Sequence, residues 1–258
     1  MPTIHIGTAG WSVPKHYAAE FPSAGTHLTR YSKNLNCAEI NSSFYRSHRF
    51  STWAKWADSV PDDFRFSVKA PRTITHESRL ACSREQLQNF LAEVQTLAGK
   101  LGPNLFQLPP KSAFDLSIAK PFFTMLRDQY SGIAVFEPRH PTWFTAEADH
   151  LLQQFQIARV AADPAPVPEA AIPGGWGRLI YHRLHGSPRM YYSEYSESFL
   201  HYTAATIARQ QETAEVWCIF DNTASGAALG NAQNLKRLLT PDPIQQSTNS
   251  STSPESYR

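Results

Sequence analysis

The sequence predicts an α/β protein, a (β/α)8 barrel of the TIM type, on three observations. Short apolar runs alternate with longer segments of helical periodicity. Eight such runs fit within roughly 240 residues, which suits a closed barrel better than a doubly wound open sheet. Most of the runs end in a polar or charged side chain, and the C-terminal rim is where barrel enzymes carry their sites.

The strands are expected at 3–7, 37–41, 64–69, 105–108, 133–137, 157–163, 178–185 and 216–222. The strongest helix signal is 84–100. Leu87, Phe90, Leu91, Val94, Leu97 and Leu101 recur there at three- and four-residue spacing and share one face. Ser83 followed by Gln86 reads as a capping box, and Gly102-Pro103 is expected to stop the chain behind that helix. Further helices are expected at 28–35, 51–58, 116–129, 146–155, 196–211 and 226–239. The stretch 163–177, rich in Pro, Ala and Gly, predicts a long loop in place of a helix after the sixth strand. Residues 1–240 are assigned to the barrel, and the polar, low-complexity stretch 241–258 to a disordered tail.

Charge and cysteine content narrow the partners. Lys and Arg total 24 against 22 Asp and Glu, a formal net charge of +2. That lacks the concentrated basic character expected of a nucleic-acid binder, so nucleic acid is not favoured as a partner. Cys37, Cys82 and Cys218 are far apart and odd in number, which fits a reducing compartment and no disulfide framework. No signal peptide and no membrane span is expected, and the protein is read as cytoplasmic.

The strand ends carry the chemistry. Side chains alternate between the two faces of a strand. On the seventh strand Tyr181, Arg183 and His185 share one parity. On the second, Cys37, Glu39 and Asn41 oppose Ala38 and Ile40. Ser67 and Lys69 oppose Phe66 and Val68 on the third, and Glu137 opposes Ala134 and Phe136 on the fifth. Gln107, Asp163 and Asn222 end the fourth, sixth and eighth strands, while Arg139 and His140 follow Glu137 on a loop. These groups form an expected polar ring at the C-terminal rim. Mutual neutralisation would explain such a ring without a ligand. Buried ion pairs are nevertheless weak as stabilising devices, so a ring at this rim points to ligand chemistry.

Several chemistries suit the set. Glu39 and Glu137, on separated strands, could flank a substrate as acid and base. Lys69 could stabilise an enolate, form a Schiff base, or simply pair with a carboxylate. Lys69, Arg139 and Arg183 suit clamping of a phosphate or carboxylate, with His185 as a proton shuttle. Trp11, Phe44, Tyr45, Trp143, Tyr191, Tyr192 and Tyr195 fall in or near the expected rim loops and could stack on a sugar or nucleobase. Absence of a Walker motif and of G-x-G-x-x-G leaves nucleotide triphosphates and dinucleotides without a signal, and no cofactor is assigned. No close His pairing suggests zinc, and no metal is assigned.

The motifs GTAGWS (7–12), AEINSSFYR (38–46), FSVKAPRTITH (66–76), LFQLPP (105–110), FEPRHPTW (136–143), YHRLHG (181–186) and FDNTASGAALGNA (220–232) together resemble the YecE-like family, domain of unknown function seventy-two. The resemblance runs in order over about residues 3–240. It implies a TIM-type barrel and no established reaction. His76, which closes the third motif, is added to the ligand-binding candidates. Departures fall at Ala9, Val13, Pro138 and Asp221, and touch loop shape more than the charged ring.

Overall fold

The computed structural model describes residues 3–240; the stretch expected as a tail, 241–258, lies outside the described residues. Ten strands form one sheet: β1 (Ile4–Ala9), β2 (Cys37–Ile40), β3 (Arg65–Lys69), β4 (Leu101–Gln107), β5 (Ala134–Glu137), β6 (Ala158–Arg159), β7 (Ala161–Asp163), β8 (Gly174–Gly175), β9 (Leu179–Leu184) and β10 (Glu215–Phe220). Their order is β7-β9-β10-β1-β2-β3-β4-β5-β6-β8. All pairings are parallel except the short β6–β8 pair. β6 and β7 are two halves of the expected sixth strand, separated by Val160. The first half pairs with β5 and the second with β9, so the eight-strand barrel closes through this segment.

Helices α1 (His27–Tyr31), α2 (Phe50–Asp58), α3 (Arg84–Gln95), α4 (Leu116–Gln129), α5 (Ala146–Gln154), α6 (Glu197–Gln210) and α7 (Ala227–Leu239) alternate with the strands. Between β7 and β9 the chain forms no α-helix, as the composition of that stretch predicts; the connection holds one 3-10 turn at Pro168–Ala171 and the small β8 strand. The Ser83–Gln86 capping box is formed in both directions. Side chains of Phe106, Phe122, Phe123 and Phe136 fill the layer between sheet and helices. No helix among the described residues is long and apolar enough to cross a membrane.

One expectation is corrected. Gly102-Pro103 does not end the segment after α3 but lies inside β4. The β3–β4 register shifts by one residue there, with Phe66 opposite Leu101 and Val68 opposite Asn104. A bulge tolerates a proline that can donate no ladder hydrogen bond. Gly102 is required for another reason: a Cβ at that position would meet the Trp217 ring at 2.6 Å.

The barrel interior has two parts. Cys37, Leu105, Val135, Ala158, Val160, Leu179, Tyr181, Trp217 and Ile219 form a separate apolar cluster inside the sheet. Above it, toward the C-terminal ends of the strands, the inward positions turn charged.

Candidate functional site at the barrel mouth

Arg183 is the centre of the charged layer and is fully buried. Its Nε donates to Glu39 Oε2 at 3.0 Å and its Nη2 to Glu39 Oε1 at 2.7 Å, a two-pronged pair. Its Nη1 donates to Glu137 Oε2 at 3.2 Å, and Nη2 lies 3.0 Å from Asp221 Oδ2. Tyr181 donates its hydroxyl to Glu39 Oε2 at 3.0 Å and lies 2.9 Å from Ser67 Oγ. Burial opposes the charge on Arg183, but Asp221, Glu39 and Glu137 outweigh it and hold the guanidinium firmly protonated.

His185, also sealed from solvent, sits between two carboxylates. Nε2 is 2.9 Å from Glu137 Oε1, and Nδ1 is 3.0 Å from Asp221 Oδ2. Burial works against the imidazolium, yet Glu137 and Asp221 raise it above the ordinary histidine range. In the protonated ring both nitrogens donate, one to Glu137 and one to Asp221. Burial would likewise lift the Glu137 carboxyl. His185, Arg183 and Arg139 reverse that and hold it well below the usual carboxylate range. Arg139 Nη1 donates to Glu137 Oε1 at 3.0 Å.

Lys69 is different. It is only 8% exposed, but among the described residues no carboxylate lies within 4.0 Å of its ammonium. The ammonium instead stands 4.2 Å from the centre of the Phe44 ring. Burial, and then the nearby Arg183, bring it down to about 8, with Glu39, Glu137 and Asp221 pulling the other way. His76 packs edge-on against the same Phe44 ring at 4.8 Å. It is pushed below its ordinary value by burial, then by Lys69 and Arg72. Tyr191 closes the far side, its ring edge-on to His185 at 5.8 Å.

The sequence-predicted ring is thus partly assembled. Glu39, Lys69, Glu137, Arg139, Arg183 and His185 converge, and Gln107 stands beside Glu137 in register. Glu39 and Glu137 do not flank a gap as an acid and base would. They share one guanidinium as counter-ions, and neither is exposed. Asn41 lies just past the end of β2, where it opens the Ser42–Phe44 3-10 turn, and its Oδ1 is buried with no partner among the described residues.

Other candidates lie elsewhere. Asp163 stands beside Leu184 rather than Arg183 in register, and its carboxylate accepts the Tyr195 hydroxyl at 2.7 Å on the helix side. Asn222 also points outward: its amide donates to Asn231 Oδ1 on α7 and to Ser193 O, both at 2.9 Å. His140 accepts from the Thr142 amide and caps a 3-10 turn. Trp11 packs against Trp56 and Phe66, away from the charged layer. Tyr45 is 71% exposed and leans on Phe44. Trp143 is buried with its indole N–H on Ser112 O, and Tyr195 is buried too. Asp221 is the member the sequence reading missed. It shares strand parity with Ile219 and Trp217, both in the interior cluster, a placement that the wholly apolar run before it does not mark in the sequence.

Among the described residues, no group of three or more His, Cys, Asp and Glu is arranged to hold a metal ion. The arginines occupy the carboxylates that would do so.

Comparison with other proteins agrees with this architecture. The chain is 30% identical over 171 residues to the UPF0759 protein YecE of Escherichia coli, covering 64% of this chain and 60% of that protein, so the match spans less than two thirds of the relative. It is 22% identical to the UPF0759 protein YunF of Bacillus subtilis, over 92% of this chain and 94% of that one. Among solved structures, a DUF72 family protein from Enterococcus faecalis superposes with a TM-score of 0.79 at 20% identity, covering 93% of this chain and 97% of the other. One from Thermotoga maritima gives 0.76 at 22% identity, with 92% and 99% covered. Residues 5–256 match the family described as "Protein of unknown function DUF72", and the chain belongs to that family.

Proposed function

We propose that the barrel mouth binds a small anionic ligand and performs general acid–base chemistry on it. The carrying observation is a charge mismatch. Three carboxylates, Glu39, Glu137 and Asp221, face four cationic groups, Arg183, Arg139, His185 and Lys69, and Lys69 is the one left without a carboxylate. A buried, unpaired ammonium is expensive, and the natural complement is a ligand carboxylate or phosphate.

In this reading Lys69 and Arg139 grip the anion, because both keep some contact with solvent. Lys69, brought down to about 8, is the group suited to exchanging a proton with the ligand. Glu137, His185 and Asp221 form the charged floor that fixes Arg139 and Arg183, and Glu39 positions Arg183 from below. Asn41 and Gln107 supply hydrogen-bonding groups at the edge of the same layer.

The test is titration calorimetry and thermal melting with inorganic phosphate and with glycolate. Either anion should raise the melting temperature of the wild type by mass action. Lys69→Met and Arg139→Met should weaken that response. Absence of any stabilisation by either anion would defeat the proposal.

A second reading has one observation behind it. Tyr45 and Phe50 are 71% and 58% exposed, and Arg46 and Arg49 lie between them in the sequence. Stacking faces interleaved with cations suit a single-stranded nucleic acid. Affinity for an oligonucleotide that falls steeply with salt would support it, and salt-insensitive or absent binding would dismiss it.

A further inference from the structure

Resting on that anion-binding reading, we propose that Lys69 is a nucleophile. It forms a protonated imine with a small carbonyl compound that carries an acidic group, such as a 2-oxo acid or a carboxylated aldehyde.

Three features of the site favour a covalent role over a simple clamp. Every other charged side chain of the layer is committed to a protein partner, whereas the Lys69 amine is not. An amine held in a salt bridge would have to break it before attacking, and Lys69 has none to break. Next, the nitrogen lies 4.2 Å from the Phe44 ring centre, so a cation delocalised over C=N would keep an aromatic face beside it. Finally, Arg139, whose guanidinium is only partly engaged by Glu137, stands at the same mouth to receive the acidic group.

Burial of the side chain supplies the free amine. With the ammonium titrating at about 8, about one lysine in ten is neutral at pH 7. An ordinary lysine would offer roughly two hundred-fold less. Burial lowers the value most and Arg183 lowers it further, while Glu39, Glu137 and Asp221 raise it. His76, on the other edge of Phe44, is itself held toward its neutral form.

The chemistry balances without an oxidant or reductant. The neutral amine attacks the carbonyl carbon, forming the C–N bond and pushing the C=O π electrons onto oxygen. A proton passes from nitrogen to that oxygen through water, giving a carbinolamine. A second proton, from solvent or from a neighbouring acid, lets the C–O bond break. Water leaves, and the nitrogen lone pair forms the protonated C=N bond. Ammonium plus carbonyl thus becomes protonated imine plus water.

Reductive trapping tests this on the full chain. Glyoxylate and cyanoborohydride are added at pH 7, and modified lysines are mapped by peptide mass spectrometry. Labelling should concentrate at Lys69, ahead of exposed lysines such as Lys15. It should be much slower with acetaldehyde, which lacks the acid, and should vanish from that peptide in Lys69→Met. A melt of Lys69→Met establishes that the variant folds, while the wild-type peptide map stands without it. Modification spread over the exposed lysines with Lys69 untouched would overturn the imine. So would equal rates with glyoxylate and acetaldehyde. Binding of phosphate and glycolate by the wild type is read separately. If those anions bind but trapping fails, only the covalent step falls. If neither binds, the underlying reading falls with it.

Discussion

Two cations sit in the same barrel, both inward and both buried, and they are treated oppositely. Arg183 is surrounded: it donates two bonds to Glu39 and one to Glu137, and forms an ion pair with Asp221. Lys69 has an aromatic face and no carboxylate within reach. The difference teaches what each is for. A guanidinium fixed on three sides holds the walls together and has nothing left to offer a ligand. An ammonium left open has a high free energy in the folded protein, and that energy is available to whatever neutralises it. A layer serving stability alone would have paired both.

The contrast can be broken from the Arg183 side. Arg183→Met leaves Glu39, Glu137 and Asp221 buried against one another, and stranding buried charge costs roughly 3–5 kcal/mol. Urea unfolding should show a loss of that size. A loss below 1 kcal/mol would mean that the carboxylates protonate or hydrate cheaply and that Arg183 is no keystone.

Replacing Lys69 should act in the opposite direction. Its descent from 10.5 to about 8 corresponds to about 3 kcal/mol of destabilisation below pH 8. Between pH 8 and 10.5 the unfolded chain binds the extra proton, so stability rises with pH in that window and the penalty fades. Lys69→Met should therefore unfold at higher urea concentration than the wild type at pH 7, with the gap closing above pH 8. A destabilised Lys69→Met would show that the lysine is structural.

His185 sharpens the comparison through pH. Its raised value contributes stability that is fully present below 6.5 and is lost as pH rises through the higher folded value. Glu137 sets the acid limit, since its depressed value is lost as stabilisation when pH falls below 4.5. His185→Gln should cost about 2 kcal/mol in mildly acidic buffer, and less as pH rises. Denaturation curves taken across that range read the effect, and a pH-independent gap would contradict the imidazolium.

Tyr181→Phe is the smallest expected change. It removes one hydroxyl from beneath Glu39 and Ser67, and should cost about 1 kcal/mol in the same unfolding assay. Phosphate binding at the mouth should survive it. Loss of binding would show that the floor of the layer transmits to Lys69.

Much of this arrangement was legible in the sequence where parity was unambiguous. Glu39 against Ala38 and Ile40, or Lys69 against Val68, could point only one way once one face was apolar. The reading failed where both faces were apolar. Val216–Phe220 is a continuous hydrophobic run, so nothing local distinguished Asp221 from Asn222 as the inward residue. Asp163 escapes a reading of 157–163 as one unbroken strand, because its register is set by β9. Burial of Lys69 without a partner is a three-dimensional fact with no signature in residue order.

The split at Val160 gives the wall a seam. From β9 around to β5 each strand is bonded on both flanks, but Ala158–Arg159 holds on to β5 and Ala161–Asp163 to β9. Along that line the ring is completed by covalent chain rather than by a full ladder. Any breathing of the cylinder should concentrate there, and amide exchange should reach Ala158–Asp163 sooner than the paired cores of β1 or β10. The cylinder is in effect a rolled sheet with one stitched edge, and the stitch runs up the wall to the rim beside Arg183.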